Sequence, residues 1–193
     1  MQIIVVRHGE TDYNKTRIIQ GQQQIPLNAA GRAQAREVAA ILRQYPITHI
    51  YCSGLVRAQE TAEIINKSFS LPIVVDKRLN ERDWGVWENR NRDKLARQNN
   101  TLRDIWQEKN LDANPHHGET TRELMMRAEN FLKSLVANHA APDVILVVTH
   151  GGPARMMTGI IKGLADIEYL QQKEIQNGQI LKIRYQDSRF TIE

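Results

Sequence analysis

The chain has 193 residues, a hydrophobic fraction of 41%, a charged fraction of 25% and a net charge of +4. That length suits one domain, 1–193, with a full core, and the modest charge with no dense basic block argues against a nucleic-acid partner. No apolar run is long enough to span a bilayer, so no membrane association is expected. The single cysteine, Cys52, cannot form an intrachain disulfide, which points to a reducing cytoplasm.

Strand and helix patterns alternate. The chain enters a strand at Ile3–Val6 at once, so no signal peptide is expected. A polar loop follows from Gly9 to Asn28. Ala29 to about Gln44 reads as a helix with Ala33, Val38, Ala39, Ile41 and Leu42 on its apolar face, ended by Pro46. A short strand covers Ile47–Cys52. Ser53 is placed to cap a helix running to about Ser68. Leu71–Val75 reads as a third strand. The stretch from Asp83 to His117 has weak periodicity, holds Trp84, Trp87 and Trp106, and reads as a helical excursion or lid over about 83–118. Thr120 or Thr121 opens a helix to about Asn138. The branched run Val144–Thr149 is a buried strand, with a helix from Pro153 behind it. Ile180–Tyr185 and Arg189–Ile192 alternate as an antiparallel edge pair would. These units predict a three-layer α/β/α sandwich: a mostly parallel central sheet with an antiparallel edge, plus the small helical lid. The edge could pair two copies, so a homodimer is one arrangement left open.

Ligands of open α/β sheets bind beyond the carboxyl ends of the strands. Four such ends carry chemistry. The first bears Arg7 and His8, and the second is followed within a helical turn by Arg57. Glu81 follows the third, and His150 with Gly151-Gly152 follows the fourth. The glycines after each histidine would let a ligand approach the backbone. Two guanidiniums, two imidazoles and a carboxylate suit a phosphate monoester. Arginine forks match phosphate oxygens in pairs, and N–H groups at the helix start after His150 add donors. A neutral imidazole is a competent nucleophile, and a carboxylic acid can protonate the leaving oxygen.

The run Arg7-His8-Gly9-Glu10-Thr11 resembles the RHGE[TS] signature of the histidine phosphatase superfamily, also called phosphoglycerate-mutase-like. More of that pattern follows in order. Asn14 and Gln20-Gly21 resemble the phosphate loop, and Leu27–Gly31 the opening of the next helix. Ser53–Ala62 resembles the second-arginine motif with Arg57 in place. Leu79-Asn80-Glu81 and Gly85-Val86-Trp87-Glu88 resemble the acid-bearing stretch. Gly118-Glu119-Thr120 and His150-Gly151-Gly152 complete the set. The resemblance, closest to small bacterial-type phosphatases, implies a histidine acid phosphatase-like phosphomonoesterase. In it His8 is phosphorylated during turnover. Arg7, Arg57 and His150 hold the phosphoryl group with Asn14, Gln20, Gly21 and the Gly151 N–H. Glu81 serves as proton donor and then as base. The expected partner is a small phosphorylated substrate, with neither metal nor organic cofactor. Two positions depart from the pattern: Gly54 stands where proline often follows the serine, and Asn89 where glycine usually follows Trp87-Glu88. Both touch loop geometry rather than charge.

Other readings stand beside this one. Glu88, Asp83 and Glu10 compete with Glu81 for the acid. Cys52 precedes Arg57 by one residue too few for the C-x5-R spacing of cysteine phosphatases and reads better as a core residue. His116-His117 lack a third metal ligand. Trp84, Trp87 and Trp106 either line a substrate pocket or anchor the excursion. Two further functions remain: a mutase moving phosphate within a phosphoglycerate-like acid, and a phosphate-binding or protein-docking module without turnover. The family's cofactor-dependent mutases usually carry a longer excursion than this chain has room for, which favours the phosphatase.

Overall fold

Strand β1 (Gln2–Arg7) occupies an interior position in a sheet of six strands. The structure, a computed structural model, describes residues 1–98, 111–113, 117–164 and 175–193. The other strands are β2 (His49–Cys52), β3 (Ile73–Val75), β4 (Val144–Thr149), β5 (Ile180–Gln186) and β6 (Arg189–Ile192). Their order across the sheet is β3-β2-β4-β1-β5-β6. The first four in that order run parallel, and β5 and β6 form the antiparallel edge. Arg7 pairs with Thr149, so the two apolar runs end side by side and deliver His8 and His150 to one rim.

Alternation along these strands divides the core. Ile3, Val5, Ile145 and Val147 face one way. They pack under helices α5 (Thr121–Asn138) and α6 (Gly151–Lys162), through Leu124, Phe131 and Met156 among others. Ile4, Val6, Leu146 and Val148 face the other way, under α2 (Ala29–Leu42) and α3 (Val56–Asn66). Helices on both faces explain why β4 is buried at every residue, as parallel sheets require. Among the described residues no helix is long and apolar enough to cross a membrane.

Several boundaries differ from the sequence expectation. The Gly9–Asn28 loop contains a short helix, α1 (Asp12–Thr16), with a reciprocal capping box between Thr11 and Asn14; five residues are too few to show apolar periodicity. The buried positions of α2 are Gly31, Ala35, Val38, Ala39 and Leu42. Ile41 is exposed and Ala33 lies at the margin, so the face is rotated toward the glycine. Strands β2 and β3 are shorter than their apolar runs, and α3 begins at Val56 rather than behind a Ser53 cap. Helix α6 starts at Gly151, which puts Pro153 in its first turn. Thr120, not Thr121, caps α5, in a capping box with Glu123. Of the excursion, the structure describes a helix α4 (Arg92–Gln98) whose Leu95 packs on Ile19 and Trp87. Trp106 and His116 lie outside the described residues.

Candidate active site

The rim bears a cavity of about 370 Å³ lined by Arg7, His8, Asn14, Gln20, Gly21, Arg57, Glu81 and Gly151, among others. Eight of the nine expected site residues therefore face one space. The ninth, His150, lies beneath it, fully buried, with its ring centroid 5.0 Å from that of His8.

The His8 ring is oriented by its own backbone. Nδ1 lies 2.6 Å from the Gly9 carbonyl. A carbonyl only accepts, so Nδ1 carries the proton and Nε2 keeps the lone pair of the neutral ring. Burial first, then the Arg57 and Arg7 guanidiniums, hold the pKa of His8 well below its usual 6.5. Nε2 is thus unprotonated, the state in which an imidazole can act as a nucleophile.

His150 is set by a chain that the sequence did not reveal. The Asn80 Oδ1 accepts from the Gly54 N–H at 2.9 Å and from the Ser53 hydroxyl at 2.9 Å. With its one proton used there, the Ser53 oxygen accepts from His150 Nε2, 2.7 Å away. The Nδ1 of His150 is then the lone-pair nitrogen, buried and without a partner in the protein. It can donate to a phosphoryl oxygen only after taking up a proton, so binding of an anion and protonation of His150 would reinforce each other. Ser53 serves this ring rather than capping α3. Gly54 supplies an N–H that proline would lack, a physical reason for that departure from the family pattern. Asn89, the other departure, has φ +65°, a left-handed conformation that asparagine tolerates better than most residues.

Arg57 is 1% exposed. It donates to the carbonyls of Gln23 and Gly21 at 2.9 and 2.7 Å, and its Nε is buried without a partner. Burial lowers its pKa to about 10, with Glu81 and Glu88 acting in the opposite direction, so it remains a cation at neutral pH. Arg7 is anchored on the Ile175 carbonyl at 2.6 Å. Asn14 turns its Oδ1 toward Thr11 and Asn177. Asn177 also donates to the His8 carbonyl at 2.9 Å and lines the cavity; nothing in its sequence surroundings marked it.

Four carboxylates competed for the acid, and of these Glu81 alone lines the cavity. Its Oε1 accepts from the Arg82 N–H at 2.8 Å and its Oε2 from the Gly152 N–H at 3.3 Å. Glu88 is occupied with Gln22, Gln23 and Trp84, Asp83 with Gly85, and Glu10 with Asn28. The Glu81 loop is held from several sides. Thr149 Oγ1 donates to the Leu79 carbonyl at 2.7 Å. Arg127 donates to the carbonyls of Arg78 and Glu81 and pairs with Glu119. Arg82, 5% exposed, donates to Thr121 and the Glu119 carbonyl and lies over the Trp84 ring. Trp84 lines the cavity, whereas Trp87 is buried in the small cluster with Ile19 and Leu95. Cys52 is fully buried in the core, which pushes its thiol up to about 12; it is no nucleophile.

His8 and His150 are both neutral in the folded protein, His150 for the same leading cause, burial, followed by Arg57. In the unfolded chain they titrate near 6.5. Below that pH the unfolded state binds protons that the folded state refuses, so stability present above about pH 6.5 is lost as pH falls. The midpoint Tm is expected to be flat above that value and to decline below it. The decline should be shallower in His8→Gln, and identical slopes in parent and variant would contradict this account.

The sequence model described as "Histidine phosphatase superfamily (branch 1)" matches residues 3–193. The chain belongs to the histidine phosphatase superfamily. Among histidine phosphatase relatives, "Probable phosphoglycerate mutase GpmB" of Proteus mirabilis is 36% identical over 195 residues, covering 97% of this chain and 86% of that protein. Two solved phosphatases share the fold. A mycobacterial glucosyl-3-phosphoglycerate phosphatase with VO3 superimposes with a TM-score of 0.90 at 26% identity, covering 100% of this chain and 96% of the other. The alpha-ribazole phosphatase of Shigella flexneri gives 0.89 at 27%, covering 100% and 95%.

Proposed function

We propose that this member of the superfamily is a metal-independent phosphatase that hydrolyses a small phosphomonoester through a phosphohistidine on His8. The observation that carries the reading is the His8 ring, neutral and with its lone pair at Nε2, in a cavity with Arg7 and Arg57. The Nε2 lone pair attacks phosphorus and the bond to the substrate oxygen breaks. The Glu81 carboxylic acid protonates that oxygen as it leaves. The resulting carboxylate then takes a proton from water, whose oxygen attacks phosphorus. The phosphorus–nitrogen bond breaks, inorganic phosphate departs and Glu81 is again protonated. Arg7 and Arg57 meet the charge on the transferring group. Asn14, Gln20, Gly21 and the Gly151 N–H at the start of α6 complete the cradle.

Hydrolysis of an aryl phosphate in the presence of a chelator tests this reading, and a strict need for added metal would overturn it. The role of Glu81 separates by leaving group. Glu81→Gln should slow release of an alkyl alcohol by roughly 10²–10⁴-fold. It should affect the first step much less with nitrophenolate, which leaves without a proton. Equal losses with both leaving groups would remove Glu81 from the acid role.

A second reading is favoured by the name of the relative at 36% identity: transfer between hydroxyls of a phosphoglycerate-like acid. The cavity also carries Arg17, Arg92 and Arg155 beyond the phosphoryl cradle, which suits a substrate with a second anionic group. Incubation with 3-phosphoglycerate separates the two, because free phosphate marks the phosphatase and isomerised acid without phosphate marks the mutase.

A further inference from the structure

At the opposite end of the sheet from His8, three elements bring metal-ligating side chains together. His49 opens β2, His139 caps the end of α5, and Asp143 immediately precedes β4. One ring nitrogen from each histidine and a carboxylate oxygen lie within 4.8 Å of one another. The imidazole centroids are 4.4 Å apart, edge to face. Among the described residues this is the one such group of three.

The surrounding hydrogen bonds favour a ligand there. The Thr48 hydroxyl donates to the Val144 carbonyl at 3.2 Å. With its proton so placed, the hydroxyl oxygen can accept from His49 Nδ1, 2.9 Å away, an arrangement that leaves the lone pair of this exposed ring on Nε2. His139 Nδ1 lies 3.2 Å from the Asp143 carboxylate, and its Nε2 lies 2.9 Å from the Tyr51 hydroxyl. If Nδ1 gives up its proton to bind a cation, Nε2 carries the ring proton and donates to Tyr51. That is the outer partner that orients a metal-bound histidine. The His139 side chain is 6% exposed and Asp143 26%, so two ligands are held by packing and the third reaches solvent.

We propose that His49, His139 and Asp143 form a divalent transition-metal site, suited to zinc, which ties the starts of β2 and β4 to the end of α5. Two imidazoles and one carboxylate suit zinc rather than calcium or magnesium, and water completes the four-coordinate shell. Around zinc, with bonds of about 2 Å, tetrahedral ligand atoms sit about 3.3 Å apart, so a group already within 4.8 Å closes on the ion by drawing in no more than about 1.5 Å. The site is at the far end of the strands from the cavity, so its effect is on stability rather than turnover.

Calorimetric titration of Zn²⁺ into untagged protein, with Co²⁺ absorption as a second readout, tests the assignment. The parent and His8→Ala should each bind one equivalent here and show tetrahedral Co²⁺ bands. His49→Ala and the isosteric Asp143→Asn should each weaken that binding at least tenfold. Saturating Zn²⁺ should raise Tm by about 4 °C or more in the parent and not in these two variants. Metal-free His49→Ala should keep parental phosphatase activity. Absence of binding in the parent would overturn the proposal. So would binding unchanged in both His49→Ala and Asp143→Asn, or binding lost in His8→Ala alone, which would place the ion in the cavity.

Discussion

Replacing His8 by alanine is expected to lower kcat/KM for an aryl phosphate by at least about 10⁴-fold, because removal of a covalent nucleophile removes the reaction path and not only an interaction along it. Inorganic phosphate should still bind. Arg7 and Arg57 are held by backbone carbonyls rather than by His8, so the cradle survives the substitution. Rapid acid quench after mixing with labelled substrate should destroy the parent's label, as a phosphorus–nitrogen bond requires, whereas an alkaline quench should preserve it. The variant should carry no label under either condition. Parental turnover in His8→Ala would refute the phosphohistidine reading. An acid-stable label would move the nucleophile to an oxygen or carboxylate.

Gly9→Ala is expected to cost about 3 kcal/mol of stability, with a fall in Tm of roughly 6–12 °C for a chain of this size. A Cβ at Gly9 would lie 2.3 Å from the Gly31 carbonyl oxygen, and one at Gly31 would lie 2.1 Å from the Glu10 carbonyl oxygen. Both collisions are with backbone, so no side chain can turn aside to relieve them. The Gly9 carbonyl also fixes the tautomer of His8. A shift of this segment should therefore lower kcat in the molecules that remain folded, with less effect on KM. Thermal melting and steady-state kinetics on the same preparation check both parts. A variant with parental Tm would show that the loop and α2 separate at little cost. The glycine after His8 thus serves contact between two backbones, where the sequence alone suggested approach of a ligand.

The chemistry at the strand ends was legible because it follows from periodicity. Branched runs at Ile3–Val6 and Val144–Thr149 name buried strands, and parallel strands put their carboxyl ends on one rim. The ordered motifs from Arg7-His8 to His150-Gly151 then point to the family. Other features left no such trace. A five-residue helix such as α1 has no apolar period. The Ser53–Asn80 link to His150 joins residues distant in sequence. Ser53 read locally as a helix cap because the same hydroxyl suits either role. By itself the sequence determined the layered architecture, the family and the set of charged groups at the rim, since each rests on local pattern or on ordered motifs. Only the tertiary structure decided that Glu81 rather than Glu88, Asp83 or Glu10 faces the cavity, which nitrogen of His8 and of His150 carries the proton, and that His49, His139 and Asp143 meet. Those outcomes depend on hydrogen bonds and packing between segments far apart in the chain, where one side chain has several partners within reach and folding selects among them.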